Sequence, residues 1–146
     1  MPLDTDFDDD EPTRPGRIRS RARMLLAEDD DDLREIIAGR MRQDGFEVLE
    51  ACSGHEALAL LHAQDPTDAI DLLVSDVRMP GCSGIDIARE LRARSQSTPV
   101  LLITSHPDAA VLAAARVLHA DVLAKPFRLE RLSEAALAAI EPHGRS

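Results

Sequence analysis

The 146-residue sequence contains no tryptophan or tyrosine, and its three phenylalanines are Phe7, Phe46 and Phe127. Proteins that bind single-stranded nucleic acid stack bases on aromatic side chains, so this scarcity argues against that function. Long apolar runs are also missing, since the longest, such as 109–115, fall well short of the roughly 20 residues that span a bilayer. The N-terminus is acidic and has no apolar signal-peptide segment. We therefore expect a cytoplasmic protein without membrane association.

Cysteines and basic residues are scarce as well. The two cysteines, Cys52 and Cys82, cannot form a disulfide framework and lack metal-site spacing, so we expect both to be reduced and inert. The 17 lysines and arginines face 27 aspartates and glutamates, which gives a formal net charge of -10. Nucleic acid phosphates require a basic protein face, so we expect no nucleic acid partner.

The first 23 residues divide into an acidic block and a basic block. Aspartate or glutamate occupies positions 4, 6 and 8–11, and arginine occupies positions 14, 17, 19, 21 and 23. So few apolar groups cannot offset the entropy lost on ordering, which predicts a disordered N-terminal arm over residues 1–23. The basic half of this arm is either a docking segment or a solvated tail.

From Met24 onward, short apolar segments alternate with segments of helical periodicity. Strands are predicted at 24–27, 47–51, 72–75, 99–104 and 122–124. Helices are predicted between and after them, at 33–41, 53–61, 85–93, 109–118 and 129–140, and Ser53 with Glu56 forms a capping-box pattern. This order predicts an α/β fold with a five-stranded parallel sheet and helices on both faces. We expect one domain over 24–146 and no output domain.

Chemically active side chains follow four of the five predicted strands. Glu28 and Asp29 follow the first, Asp76 follows the third, and Thr104 and Lys125 follow the fourth and fifth. The carboxyl ends of parallel strands share one edge, so these side chains are expected to gather there. Neighbouring carboxylates stay ionised only if a cation joins them, which favours Mg²⁺. Asp76 could then attack a phosphorus atom, with Lys125 and Thr104 stabilising the phosphoryl oxygens.

Each of these residues alone also has a plain structural interpretation. Asp76 could be a solvated acid that ends a strand, Thr104 a turn residue or N-cap, and Lys125 an exposed charge. For Asp31 and Asp32 we expect only the structural role, in which acids in the first turn complement the dipole of a helix.

Four segments give the sequence its resemblance to the receiver domain of two-component response regulators, which extends over about 24–140. These segments are Leu-Leu-Ala-Glu-Asp-Asp at 25–30, Ser-Asp-Val-Arg-Met-Pro-Gly-Cys-Ser-Gly at 75–84, Thr-Ser at 104–105 and Lys-Pro-Phe at 125–127. The resemblance implies a flavodoxin-like fold with strand order 2-1-3-4-5 and a cis bond between Lys125 and Pro126.

The resemblance also implies a role for each residue at the strand ends. Asp76 would accept the phosphoryl group, Thr104 would be the switch hydroxyl, and Lys125 would bind the phosphate. The implied ligands of Mg²⁺ are Glu28, Asp29, Asp76 and the backbone carbonyl of Arg78.

By the same resemblance, the chain would be a stand-alone response regulator. It would take a phosphoryl group from a histidine kinase or a histidine phosphotransfer protein and relay the signal by binding a downstream effector protein. It would not be an enzyme beyond catalysing its own phosphorylation and dephosphorylation. We expect a monomer or a weak phosphorylation-dependent dimer.

Two features depart from the family pattern. Val122 stands where the family usually has tyrosine or phenylalanine, three residues before Lys125. The Gly-Ala-type turn ahead of that strand is replaced by His-Ala-Asp at 119–121. The coupled movement of threonine and aromatic residue, which is the family's usual relay, therefore cannot operate here in its ordinary form.

Two other functions stay open at this point. One is a receiver-like module that binds partners without phosphorylation. The other is an aspartate-nucleophile phosphatase, which would need a second acid two residues after Asp76, where this chain has Arg78.

Overall fold

The computed structural model describes residues 21–64 and 69–141, and within them five strands alternate with five helices. The strands are β1 (Arg23–Ala27), β2 (Glu47–Ala51), β3 (Leu72–Asp76), β4 (Val100–Thr104) and β5 (Asp121–Ala124). The helices are α1 (Asp31–Gln43), α2 (Gly54–Ala63), α3 (Gly84–Arg94), α4 (Ala109–Val117) and α5 (Leu129–Ile140). Residues 1–20 of the predicted arm and residues 142–146 of the predicted domain lie outside the described residues.

All five strands pair in parallel, in the order β2-β1-β3-β4-β5. The predicted sheet and its strand order are therefore confirmed. The register aligns the strand ends, since Ala27 of β1 lies beside Ser75 of β3, and Thr104 of β4 lies beside Ala124 of β5. The residues that follow these positions consequently emerge at one edge of the sheet.

Apolar side chains cover both faces of the sheet. On one face, Leu25, Leu73 and Leu102 belong to a buried cluster with residues of α2, α3 and α4. On the other face, buried strand residues pack against α1 and α5, among them Leu26 and Val74. Strands that are buried on both faces need apolar residues at successive positions, which explains the continuous apolar runs of β3 and β4.

Strand β1 begins at Arg23, one residue earlier than predicted. The Arg23 backbone N–H donates to Asp71 Oδ2 at 2.7 Å, and its guanidinium pairs with Glu47 Oε2 at 2.9 Å. These bonds connect the first residue of β1 to the segment before β3 and to β2. Long-range partners of this kind are invisible in the local sequence pattern.

The helix predicted over residues 33–41 is confirmed as part of α1, but fewer of its apolar side chains are buried than the pattern predicts. Ile37 and Met41 are fully buried, whereas Ile36 is 53% exposed. Asp30 caps this helix through Oδ1, which accepts the Leu33 N–H at 3.1 Å, and Asp31 and Asp32 occupy the first turn as predicted.

The predicted capping box at Ser53 is only half formed. Ser53 caps α2 by accepting the Glu56 N–H, but the Glu56 carboxylate accepts the N–H of Cys52 at 2.7 Å and not that of Ser53. The reciprocal pair of bonds occurs instead at α3, between Ser83 and Asp86.

Helix α3 begins in contact with the end of β3. The Gly84 N–H donates to the Val77 carbonyl at 3.0 Å. A Cβ atom added to Gly84 would lie 2.3 Å from the Asp76 carbonyl oxygen and 2.8 Å from Ser75 Oγ. Only glycine permits this close approach, because the backbone carbonyl cannot move aside as a flexible side chain could.

No helix in the part of the chain that the structure describes combines the length and apolar composition needed to cross a bilayer.

We predict that Gly84→Ala destabilises the protein by about 1–3 kcal/mol, because the new methyl group must displace the end of β3. Gly39→Ala is the matched control, since Gly39 lies inside α1 and an added Cβ would meet no atom within 4 Å. That control should be more stable than wild type by about 0.5–1 kcal/mol. Urea denaturation of both variants measures the difference, and an unchanged stability of Gly84→Ala would contradict the close approach.

Candidate functional site

One ammonium group joins two carboxylates at the carboxyl edge of the sheet. Lys125 Nζ donates to Asp76 Oδ2 at 3.0 Å and to Glu28 Oε1 at 3.3 Å. Lys125 directly follows β5, and its backbone N–H donates to the Thr104 carbonyl at 2.8 Å. The Lys125–Pro126 peptide bond is cis, as the resemblance implies. Residues from three different strand ends therefore meet at one point.

Glu28 is almost fully buried, with 1% of its surface exposed. Its Oε2 accepts the Asp30 N–H at 3.1 Å, and its carbonyl accepts a hydrogen bond from Arg34 Nη1 at 2.9 Å. The pKa of Glu28 is raised to about 7, mainly by burial and also by the nearby charge of Asp76, and the Asp30 N–H and Lys125 offset only part of this rise. The site thus holds one carboxyl group that ionises reluctantly in the absence of added positive charge.

Asp76 ends β3 and is 7% exposed. Its Oδ1 accepts the backbone N–H of Arg78 at 3.2 Å, while Oδ2 faces Lys125. The Ser75 hydroxyl donates to the Asp76 carbonyl at 2.9 Å. Both side-chain oxygens are therefore oriented by hydrogen bonds, as the carboxylate of a positioned nucleophile should be.

Three predicted metal ligands come together. One carboxylate oxygen each from Glu28, Asp29 and Asp76 lies within 4.8 Å of the others. Asp29 is exposed, in contrast to the other two. The single ammonium of Lys125 leaves this cluster with excess negative charge, and its hard oxygen donors fit Mg²⁺. Arg78 contributes a backbone N–H to Asp76, and the predicted role of its carbonyl stays a prediction.

Lys125 is held in its charged form by the same contacts. Burial alone would lower the pKa of its ammonium, but the hydrogen bonds and charges of Asp76 and Glu28 outweigh burial and raise it above the usual value. The ammonium therefore remains protonated near neutral pH and is available to an incoming anion.

Thr104 is fully buried at the end of β4. Its Oγ1 accepts the backbone N–H of His106 at 3.0 Å, which orients the hydroxyl oxygen toward the loop that follows. β4 lies beside β3, with Asp76 next to Ile103 in the register. The structure thus places Thr104 on the strand adjacent to Asp76, at the same edge.

One residue near the site, Asp108, is not among the predicted site residues. Its Oδ2 lies 3.5 Å from Arg78 Nη2, and its Oδ1 caps α4 by accepting the Val111 N–H at 2.9 Å. An aspartate directly before a helical segment is a recognisable N-cap signal. Its partnership with Arg78, 30 residues away, has no counterpart in the local sequence.

The chain has the fold of the open α/β proteins, which bind ligands at the carboxyl edge of their sheet, and at this edge it carries three acids and a lysine, side chains suited to metal ions and phosphate. The family model of the response regulator receiver domain matches residues 24–137 of this chain. The chain therefore belongs to the response regulator receiver domain family.

Similar proteins include a transcriptional regulatory protein and two proteins of solved structure. The transcriptional regulatory protein CpxR of Klebsiella pneumoniae is 40% identical over 106 residues, which cover 72% of this chain and 43% of CpxR. The non-phosphorylated receiver domain of HemR from Leptospira biflexa has 30% identity and a TM-score of 0.74, covering 83% of this chain and 95% of that chain. TrrA from Thermotoga maritima, solved with Mg²⁺ and BeF, has 24% identity and a TM-score of 0.70 over 81% of this chain and 98% of that chain, and this likeness shows the fold.

The chain spans between a quarter and about half of the length of the curated relatives it matches. The shared part is the receiver domain.

We predict that, without a metal ion, Glu28 makes the fold less stable as the pH rises. The folded protein keeps the Glu28 proton up to about pH 7, whereas a carboxyl group with the ordinary pKa releases it near 4.5. The folded state therefore binds more protons in this range, and the free energy of unfolding decreases as pH increases.

Comparison with Glu28→Gln isolates this contribution. The stability of wild type relative to the variant should fall by on the order of 2–3 kcal/mol across that pH range. Urea denaturation in EDTA at a series of pH values measures it. A difference that stays constant or increases with pH would show that Glu28 is ionised throughout.

Proposed function

We propose that this receiver domain accepts a phosphoryl group on Asp76 in a Mg²⁺-dependent reaction and relays the signal to a protein partner. The observation that carries the proposal is the setting of the Asp76 carboxylate. It is bonded to Lys125 Nζ at 3.0 Å and lies within 4.8 Å of carboxylate oxygens of Glu28 and Asp29. This combination supplies a nucleophile, a phosphate-binding cation and a set of metal ligands.

The transfer exchanges one bond to phosphorus for another. An oxygen of the Asp76 carboxylate attacks the phosphorus atom of a phosphohistidine, and the phosphorus–nitrogen bond breaks. The electron pair of that bond stays on the imidazole nitrogen, which takes up a proton from water. Attack by water on the resulting aspartyl phosphate later releases inorganic phosphate and restores the carboxylate.

The chain's own groups stabilise the charge that is transferred. Lys125 Nζ can move from Asp76 Oδ2 to a phosphoryl oxygen, and the Arg78 N–H already points at the Asp76 carboxylate. The Thr104 hydroxyl accepts a hydrogen bond from the His106 N–H. This bond does not use the O–H donor of Thr104, which can therefore donate to the phosphoryl group. Mg²⁺, held by Glu28, Asp29 and Asp76, would supply the positive charge that phosphoryl transfer requires.

The proposed partners are a histidine kinase or histidine phosphotransfer protein upstream and an effector protein downstream, with the exchange taking place in the cytoplasm. We propose that the chain catalyses only its own phosphorylation and dephosphorylation. A phosphatase would need a general acid two residues after the nucleophile, and Arg78 cannot take that role because its guanidinium does not release a proton in proteins.

We predict that incubation with acetyl phosphate and Mg²⁺ adds one phosphoryl group to the wild-type chain, an increase of about 80 Da, as expected for a carboxylate nucleophile. Asp76→Asn should show no increase, and EDTA should prevent the reaction of wild type. Asp32→Asn, which removes a charge from the first turn of α1, is the control and should react like wild type. Intact-mass spectrometry distinguishes these outcomes. If wild type gains no mass although it binds Mg²⁺, the phosphorylation-independent binding module becomes the better description.

We also predict that Mg²⁺ stabilises the fold and that Asp29→Asn weakens this effect. Asp29→Asn removes one ligand and one of three neighbouring negative charges, so without metal the variant should be no less stable than wild type. The thermal unfolding midpoint as a function of Mg²⁺ concentration gives the affinity, because binding to the folded state adds a free energy of RT ln(1 + [L]/Kd). We expect a loss of affinity of about tenfold or more. Equal Mg²⁺ titrations for Asp29→Asn and Asp32→Asn would contradict the role of Asp29.

A further inference from the structure

Arg78 contacts the phosphoacceptor with its backbone and helix α4 with its side chain. Its N–H lies 3.2 Å from Asp76 Oδ1, and its Nη2 lies 3.5 Å from Asp108 Oδ2. A single residue therefore connects the carboxylate at the end of β3 to the first turn of α4.

The Arg78–Asp108 ion pair spans an open groove. The loop after β3 lines one side of this groove with Val77, Met79 and Pro80, and α4 lines the other with Ala110 and Val111, enclosing about 540 Å³. Both charged side chains are more than half exposed, so the pair is weak and can be exchanged for a better partner.

Asp108 holds two partners with separate oxygens. Oδ1 accepts the Val111 N–H at 2.9 Å and caps α4, while Oδ2 faces Arg78. The cap needs an oxygen but no negative charge, because asparagine caps helices about as well as aspartate. The charge of Asp108 can therefore be removed without removing the cap.

A phosphoryl group on Asp76 would compete with Asp108 for Arg78. It carries up to two negative charges and three acceptor oxygens, and guanidinium binds phosphate through two parallel hydrogen bonds. Since the Arg78 backbone already contacts Asp76, its side chain reaches such a group by rotation about its own bonds.

We propose, building on the proposed function, that the Arg78 guanidinium is shared between Asp108 and the phosphoryl group, to which it binds directly. In the unphosphorylated protein Asp108 holds the guanidinium away from Asp76 and ties the first turn of α4 to the loop after β3. Phosphorylation transfers the guanidinium to the phosphoryl group and releases α4 from that loop. This gives the chain a route from Asp76 to α4 that needs no aromatic residue at position 122.

The test measures the rate of phosphorylation by acetyl phosphate and Mg²⁺ in Asp108→Asn, Arg78→Met and the double variant. Asp108→Asn frees Arg78 for the phosphoryl group, so its rate should exceed that of wild type by up to about fivefold, the ceiling for an exposed ion pair. Arg78→Met should react more slowly than wild type, and Arg78→Lys should recover part of the loss. The double variant should react like Arg78→Met.

The double variant separates this mechanism from simple charge repulsion. If Asp108→Asn accelerates phosphorylation equally in the Arg78→Met background, Asp108 acts by repelling the anionic donor and the shared-arginine proposal is wrong. Equal rates for Asp108→Asn and wild type would also overturn it while leaving the phosphoacceptor role of Asp76 intact. No mass increase in any variant would overturn both.

Hydrogen exchange at the start of α4 provides a second readout. The amides of Val111 and Leu112 are bonded to the side chain and carbonyl of Asp108. Phosphorylation of wild type should speed their exchange by at most about fivefold, the limit set by an exposed ion pair, whereas in Arg78→Met exchange should already be faster by the same factor and should not change on phosphorylation. Exchange that responds equally to phosphorylation in both proteins would contradict the release of α4 through Arg78.

Discussion

Two nearly buried carboxylates share one ammonium group, and the charge balance of the whole site depends on this interaction. Lys125 cannot neutralise both Asp76 and Glu28, and the exposed Asp29 adds a third negative group within 4.8 Å of the other two carboxylates. The pKa of Glu28 is raised mainly by its burial, and the negative charge of Asp76 adds to this effect. Buried charges that lack full compensation are costly, so the cluster gains from any added cation. The site is thus incomplete by itself, and its chemistry depends on what it binds.

The sheet holds this arrangement in place through backbone bonds just beyond the strand ends. Glu28 donates its N–H to Ala51 at 3.1 Å, Val77 donates to Ile103 at 2.8 Å, and Lys125 donates to Thr104 at 2.8 Å. Each site residue therefore extends or adjoins a hydrogen-bond ladder between neighbouring strands. Such ladders belong to the most stable part of a fold, so the charges are positioned by the core and not by mobile loops.

The sequence was sufficient to predict the parallel sheet, because alternating apolar and amphipathic segments leave few other arrangements, and to predict which residues gather at its edge. It could not predict contacts between side chains that are far apart in the sequence and close together in the fold. Arg78 and Asp108 are 30 positions apart, and the raised pKa of Glu28 follows from burial by the surrounding strands. Local patterns also failed where a neighbour competed, as when Glu56 bonded to Cys52 and not to its predicted partner.

The segment between β3 and α3 forms a turn that is held by its own backbone hydrogen bonds. Gly84 donates its N–H to Val77, Cys82 donates to Pro80, and Gly81 adopts a φ of 81°, which completes the turn. The backbone of residues 78–83 consequently lies outside the ladders that hold the sheet together. Substitution of its exposed side chains therefore removes no hydrogen bond between the strands of the sheet. The surface that this edge of the sheet presents to other molecules can therefore change without loss of the residues that stabilise the sheet.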